Sequence, residues 1–177
     1  MELVRLKVDV IITGGPTSNR AAKQATSSTP IVMAFDNDPV GNGFVASLAR
    51  PGGNITGLST LAPEISGKQL ELLKETLPRF SRVAVFGTST NPGNTQSSKE
   101  MEFAARVLGV QLQHLDVLGP KDIETAFRAA SNGRADAVVV LAGSIFNSNR
   151  SQVVELALKN RLPAIDPSPE FVRDGGL

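Results

Sequence analysis

Residues 36–59 read DNDPVGNGFVASLARPGGNITGLS and decide the fold of this chain. The apolar run Pro30-Ile31-Val32-Met33-Ala34-Phe35 ahead of them has the length and composition of a buried strand. Asp36, Asn37 and Asp38 follow at its carboxyl end. A glycine-rich corner leads into a short apolar segment, Phe44 to Ala49, that reads as a helix. Arg50-Pro51-Gly52-Gly53-Asn54 stops it, because proline cannot continue a helix and glycine accepts positive φ. Ile55 to Leu58 then reads as a strand leaving in a new direction. In open parallel sheets the carboxyl ends of the strands are where ligands bind, so the acidic corner at 36–38 is a natural place to look for chemistry.

Outward from this stretch, β and α signals alternate along the chain, which predicts an α/β fold with a doubly wound parallel sheet. Further strands are expected at Val8 to Ile12, Arg82 to Phe86, Val110 to Val117, Ala137 to Leu141 and Leu162 to Asp166. The clearest helix spans about Glu64 to Leu77, where Ile65, Leu70, Leu73 and Leu77 keep helical spacing and Lys68, Glu71, Lys74 and Glu75 face water. A second helix, near Ser97 to Leu108, stops at Gly109. Ile123, Ala126, Phe127 and Ala130 mark a third, and Val153, Val154, Ala157 and Leu158 a fourth. The shift in pattern near Asn54 to Ser59 places a domain boundary there, giving regions 1–55 and 56–177.

Composition bounds the function. A chain of 177 residues, 41% hydrophobic and 20% charged, can bury one substantial core or two small ones. Its formal net charge of +1 without a basic stripe argues against a nucleic-acid surface. The absence of cysteine excludes disulfides and thiolate metal sites. The single histidine, His114, has no second histidine or cysteine with which to complete a metal site, and it is expected away from the strand-end loops. No residue pattern calls for a cofactor.

The loops after the strands carry the candidate ligand-binding residues. Thr17 and Ser18 follow Gly14-Gly15-Pro16 at the start of a helix, where free N–H groups suit a carboxylate; an ordinary capped turn reads the same way. Asp36 and Asp38 can receive an ammonium group or act as an acid and base pair, or one can cap a helix while the other is solvated. Thr90, Asn91 and Asn94 lie in a loop of hydroxyls and amides, suited to neutral hydrogen bonds or to an Asx turn capping the next helix. Ser144 lies in the loop Ala142 to Asn147, in which Phe146 either stacks on an aromatic ligand or packs beneath the loop. Asp166, ahead of Pro167, is a second ammonium partner or a turn residue.

Several strings resemble one family: VDVIITGG at 8–15, AAKQAT at 21–26, PIVMAFDNDPVG at 30–41, SLARPGGNITGLS at 47–59, GKQLELLKETLP at 67–78, NPGN at 91–94, AARVLGVQL at 104–112 and RLPAIDPSPEFVRDGGL at 161–177. The chain is similar to substrate-binding proteins of ABC transporters with the type I periplasmic-binding fold, in the branch associated with aromatic amino acid uptake. The resemblance implies a two-lobed α/β protein, with residues 1–55 as a partial lobe one and 56–177 as a nearly complete lobe two. It implies a non-enzymatic protein that closes on a small amino acid-like ligand and presents it to a permease, in a periplasmic or extracytoplasmic location. It also implies an internal fragment, with no signal peptide in this chain and apolar surface in region 1–55 that pairs with a second copy or leaves the chain marginally stable. The alternative from the residues alone is a small Rossmann-like enzyme using Asp36 and Asp38; a transcription regulator of similar fold would need a helix-turn-helix that the sequence lacks.

Overall fold

The computed structural model describes residues 2–177. The chain divides into two compact units, one formed by the residues up to Ala62 together with Asn91–Gly93, the other by Pro63–Thr90 and Asn94–Leu177.

The first unit opens with the short helix α1 (Glu2–Arg5), followed by β1 (Ile11–Gly14), α2 (Pro16–Ala25), β2 (Ile31–Asp36) and β3 (Ile55–Ser59). The strands form one parallel sheet in the order β1-β2-β3, with Ile11 opposite Ile31 and Ile31 opposite Ile55. Ile11, Ile31, Met33 and Ile55 point to one face and pack with Ala22 of α2 and with Phe44 and Val45. Ile12, Ala34 and Leu58 on the other face are exposed. Two glycines are fixed by backbone demands. Gly15, at φ 100°, turns the chain from β1 into α2, and a Cβ there would press on the Phe35 ring. Gly57, at φ 151°, lets β3 approach β2 where a Cβ would run into the Met33 carbonyl.

Three expectations differ from this unit. Residues 44–49 are not helical. Phe44 N and Val45 N donate to the Pro39 carbonyl at 2.8 and 3.1 Å, and Ser47 Oγ accepts from Arg50 N at 3.1 Å. Only Phe44 and Val45 are buried, so the six-residue window has no helical apolar stripe, and a serine that bonds its own turn competes with a helix. The first strand begins at Ile11 rather than Val8, where pairing with Ile31 becomes available. The boundary expected at 55/56 falls inside β3, after its first residue; all of Ile55–Ser59 pairs with β2 or lies within that strand, so it belongs to the first sheet.

In the second unit α3 (Ala62–Thr76) leads into β4 (Arg82–Gly87), α4 (Pro92–Leu108), β5 (Gln111–Asp116), α5 (Pro120–Asn132), β6 (Ala137–Val140), α6 (Ser144–Ser148), α7 (Arg150–Asn160), β7 (Ala164–Ile165) and α8 (Pro169–Arg173). The sheet order is β5-β4-β6-β7, all parallel. The inner strands are apolar on both faces: all of Val83–Phe86 and Ala137–Val140 is buried, as a sheet with helices on both sides requires. Leu70 and Leu73 of α3 and Met101 and Ala105 of α4 cover one face. Ile123 and Phe127 of α5, Val153 and Val154 of α7, and Phe171 of α8 cover the other. Phe86 and Phe127 meet edge to face, centroids 4.9 Å apart at 84°, which adds about 1 kcal/mol to their burial. α4 starts five residues earlier than expected, because proline is well accepted in a first turn and Asn91 Oδ1 accepts from Gly93 N at 3.3 Å. No helix among the described residues is long and apolar enough to cross a membrane.

Candidate functional site

Because every strand pairing is parallel, each sheet gathers its carboxyl-end loops along one edge. The candidate residues therefore fall into two groups, one per unit, except that Asn91 leads into α4 and is grouped by contacts with the first unit.

In the first unit Thr17 is exposed in the opening turn of α2, and Ser18 Oγ donates to the Gly15 carbonyl at 2.9 Å. Asp36 ends β2 and is completely buried. Its Oδ2 accepts from Asn19 Nδ2 at 2.6 Å, and its Oδ1 from Asp38 N at 3.0 Å and Asn42 Nδ2 at 2.8 Å. Three neutral donors thus saturate the carboxylate from α2 and from the corner that follows β2. Its main-chain carbonyl accepts Thr60 N at 2.9 Å, tying the end of β3 to the same point. Asp36 has no oxygen in reach of a substrate proton, which leaves an Asp36/Asp38 acid and base pair without its buried member. Asp38 is half-buried and bonds Gly41 N through Oδ1 at 2.8 Å, an Asx turn that shapes the corner.

In the second unit Thr90 is exposed and Asn94 is buried in the first turn of α4; Asn91, which precedes that helix and belongs to the first unit, is buried as well. Ser144 is exposed as the first residue of α6, and Phe146 is buried in the core, so it packs beneath its loop. Asp166 follows β7 and is 8% exposed. Register fixes its height: Ile165 lies opposite Val139 and Val139 opposite Val85, so Asp166 is level with Val140 and Phe86 at the sheet edge. It stands two strands, roughly 10 Å, from the β4 loop that carries Thr88 to Asn91.

The two oxygens of Asp166 are treated differently. Oδ1 accepts from Ser168 N at 2.8 Å and from Ser168 Oγ at 2.6 Å. Oδ2 accepts no hydrogen bond from the described residues. Burial pushes the carboxyl above its ordinary range, against the two Ser168 bonds and the Arg150 charge, which pull it down. Arg150 supplies little counter-charge, because its Nε is bonded to Asp174 Oδ2 at 2.6 Å. No sequence pattern marks Arg150, whereas the spacing Asp166-Pro167-Ser168-Pro169 is the signal for the turn that brings in Ser168.

A cavity of about 240 Å³ opens at the other end of this edge, lined by Gly87, Thr88, Ser89, Asn94, His114 and Asp116. Its rim is bonded to itself: Asp116 accepts from Ser89 N at 2.8 Å and Ser89 Oγ at 2.7 Å, and Thr88 Oγ1 donates to the Val117 carbonyl at 3.0 Å. His114, expected away from the strand-end loops, lines the cavity instead, because β5 pairs with β4 there; it lies 3.6 Å from Glu102, with 41% of its side chain exposed.

Known proteins with this pattern are consistent with one another. The family described as ABC transporter substrate binding protein matches residues 1–177. A tyrosine-binding protein of Clostridioides difficile (strain R20291) is 26% identical over 171 residues, covering 97% of this chain and 49% of its own length. Among solved structures, a conserved domain protein from Vibrio cholerae superposes with a TM-score of 0.90 at 26% identity, over 99% of this chain and 58% of that one. An ABC domain from Streptococcus pneumonia, solved in complex with L-Trp, superposes at 0.89 with 24% identity, over 99% and 59%; that likeness speaks for the fold alone. The chain spans about half the length of the curated relative it matches. With the family match running over its whole length, the chain belongs to the ABC transporter substrate-binding proteins, built on the type I periplasmic-binding fold.

Proposed function

We propose that this chain is the solute-binding part of an ABC importer, that it works outside the cytoplasm, and that it holds a small amino acid for delivery to a permease. The observation that carries the amino acid is Asp166. It is a buried carboxylate at the ligand edge of a parallel sheet, with one oxygen fixed by Ser168 and the other without a donor. Burial disfavours its charge. Oδ2 is the oxygen open to solvent, and an α-ammonium there would replace water with a charged donor and supply the missing counter-charge.

Thr90, Asn94 and Ser144 are neutral groups on the same edge of this unit, suited to a ligand carboxylate, and Asn91, of the first unit, is a further neutral candidate. In the first unit Thr17, Ser18 and Asp38 are the candidates for direct contact, and Asp36 holds their loops in shape. The tyrosine-binding relative supports an aromatic amino acid as the ligand class.

The test is a melting-temperature screen of the 177-residue chain against the twenty amino acids. A ligand at about 100 times its Kd adds roughly 2.7 kcal/mol to stability, and an aromatic amino acid is expected to give the largest rise. No rise with any of them would overturn the reading.

A further inference from the structure

We infer that Ser168 is a positioning residue for amine recognition: by tying Oδ1 of Asp166 with two donors, it leaves Oδ2 as the one oxygen presented to the ligand's ammonium. This rests on the reading that Asp166 receives that ammonium.

One of the two bonds needs a hydroxyl side chain and the other only a backbone N–H. Ser168 N and Ser168 Oγ both donate to Oδ1, at 2.8 and 2.6 Å. Pro167 and Pro169 flank it and restrict the backbone on either side, so the turn is set before any ligand arrives. Ser168 is also the N-cap of α8, a position where a serine oxygen ordinarily accepts a helix N–H, yet it makes no such bond. Its hydroxyl is turned to Asp166 instead. The charged groups that act on this carboxylate are Arg150 of α7 and Glu170 of α8, of opposite sign, and Arg150 is bonded to Asp174. Ser168 is therefore the group that fixes which way the carboxylate faces.

Removing the hydroxyl deletes a bond to the charged form of Asp166, so its ionisation moves to higher pH. Affinity for an amine then weakens, and its decline on acidification begins at a higher pH. A ligand without the amine is indifferent to both changes.

The experiment titrates L-tyrosine, or whichever amino acid raises the wild-type melting temperature most, and its desamino acid into wild-type, Ser168→Ala, Ser168→Thr and Asp166→Asn chains by calorimetry between pH 5 and 8 (about the range where proteins are most stable). Ser168→Ala is expected to lose affinity for the amino acid several-fold, because the carboxylate is then less firmly oriented and is protonated in a larger share of the free protein. It should lose little for the desamino acid, and Ser168→Thr should restore the loss. The acid decline should move to higher pH in Ser168→Ala alone. Equal weakening of both ligands, or no weakening while Asp166→Asn abolishes amine binding, overturns the inference and leaves the reading intact. No binding by the wild-type chain, or full binding by Asp166→Asn, overturns both.

Discussion

The end of β2 and the end of β7 each deliver an aspartate to the ligand edge of a parallel sheet, but Asp36 is satisfied on both oxygens and Asp166 on one. Asp36 is wholly buried among Asn19, Asn42 and the Asp38 amide, so its bonding capacity goes into holding α2, the glycine-rich corner and β3 together. Asp166 is nearly as buried, has its local donors confined to Oδ1, and bears a desolvation cost that its neighbours do not offset. On the proposed reading the same residue type at the same point of the fold serves as a structural keystone at the end of β2 and as a binding group at the end of β7, according to its partner set. A carboxylate that is saturated stabilises the protein. One left half-satisfied is poised for a ligand.

The largest effect should come from Asp36. Asp36→Ala leaves the Asn19 and Asn42 amides and the Asp38 N–H without their acceptor, which should cost about 3 kcal/mol in urea unfolding. Asp36→Asn keeps one acceptor oxygen and should cost less, about 1–2 kcal/mol, because its amide then faces the amide of Asn19. The comparison breaks if Asp36→Asn leaves stability untouched and abolishes amino acid binding, for Asp36 would then be the binding carboxylate.

Asp166→Asn should act in the opposite direction on the empty protein. The folded state raises the Asp166 pKa above its unfolded value, so this group's contribution to stability is fully present below the ordinary carboxylate range and is lost as pH rises through the folded value. At neutral pH the wild-type chain carries that loss and the asparagine does not, while the amide oxygen can still accept both Ser168 donors. Asp166→Asn should therefore melt higher than wild type at pH 7, by a margin that shrinks on acidification, and should fail to bind the amino acid. A trade of this kind between stability and binding is expected at a site kept ready for a charge. A lower melting temperature at pH 7 would place Asp166 with Asp36, as a structural group.

Much of the fold was legible because the second sheet is built from runs that are apolar throughout. Arg82–Gly87 and Ala137–Val140 have no polar residue between the strand ends, so position and neighbours could hardly be mistaken. The segment at 44–49 misled for the opposite reason: it is apolar, yet only Phe44 and Val45 reach the core, and the bonds of its backbone go to Pro39 and Pro51, which no local pattern announces. The candidate site was legible as a set of loops and illegible as a set of roles. Asp36 and Asp166 look alike in sequence, and what separates them is Asn19, 17 residues away in the chain, against Ser168, two residues away. Short-range partners such as Ser168 leave a trace in the spacing; a long-range one such as Asn19 leaves none.

Asp136 gives the smallest effect and sharpens the comparison from the far side of the same sheet. It precedes β6 at the amino end of the strands, where its Oδ2 accepts from Ser81 N at 2.8 Å, Arg82 N at 2.9 Å and Ser81 Oγ at 3.3 Å. The backbone N–H of Ser81 is the main cause of a pKa held below the ordinary 3.8, opposed by some desolvation. The sign is thus the reverse of Asp166: its contribution is present above the ordinary carboxylate range and is lost as pH falls through the folded value. Because the residue is exposed, solvent screens most of that contribution, and Asp136→Asn should lower stability at pH 7 by no more than about 1 kcal/mol. The difference from wild type should narrow in urea titrations at pH 3, and amino acid affinity should not change, since the strand ends that carry Asp166 are at the opposite edge. A loss of affinity in Asp136→Asn without a loss of stability would mean that strand-end position does not separate binding carboxylates from structural ones in this sheet.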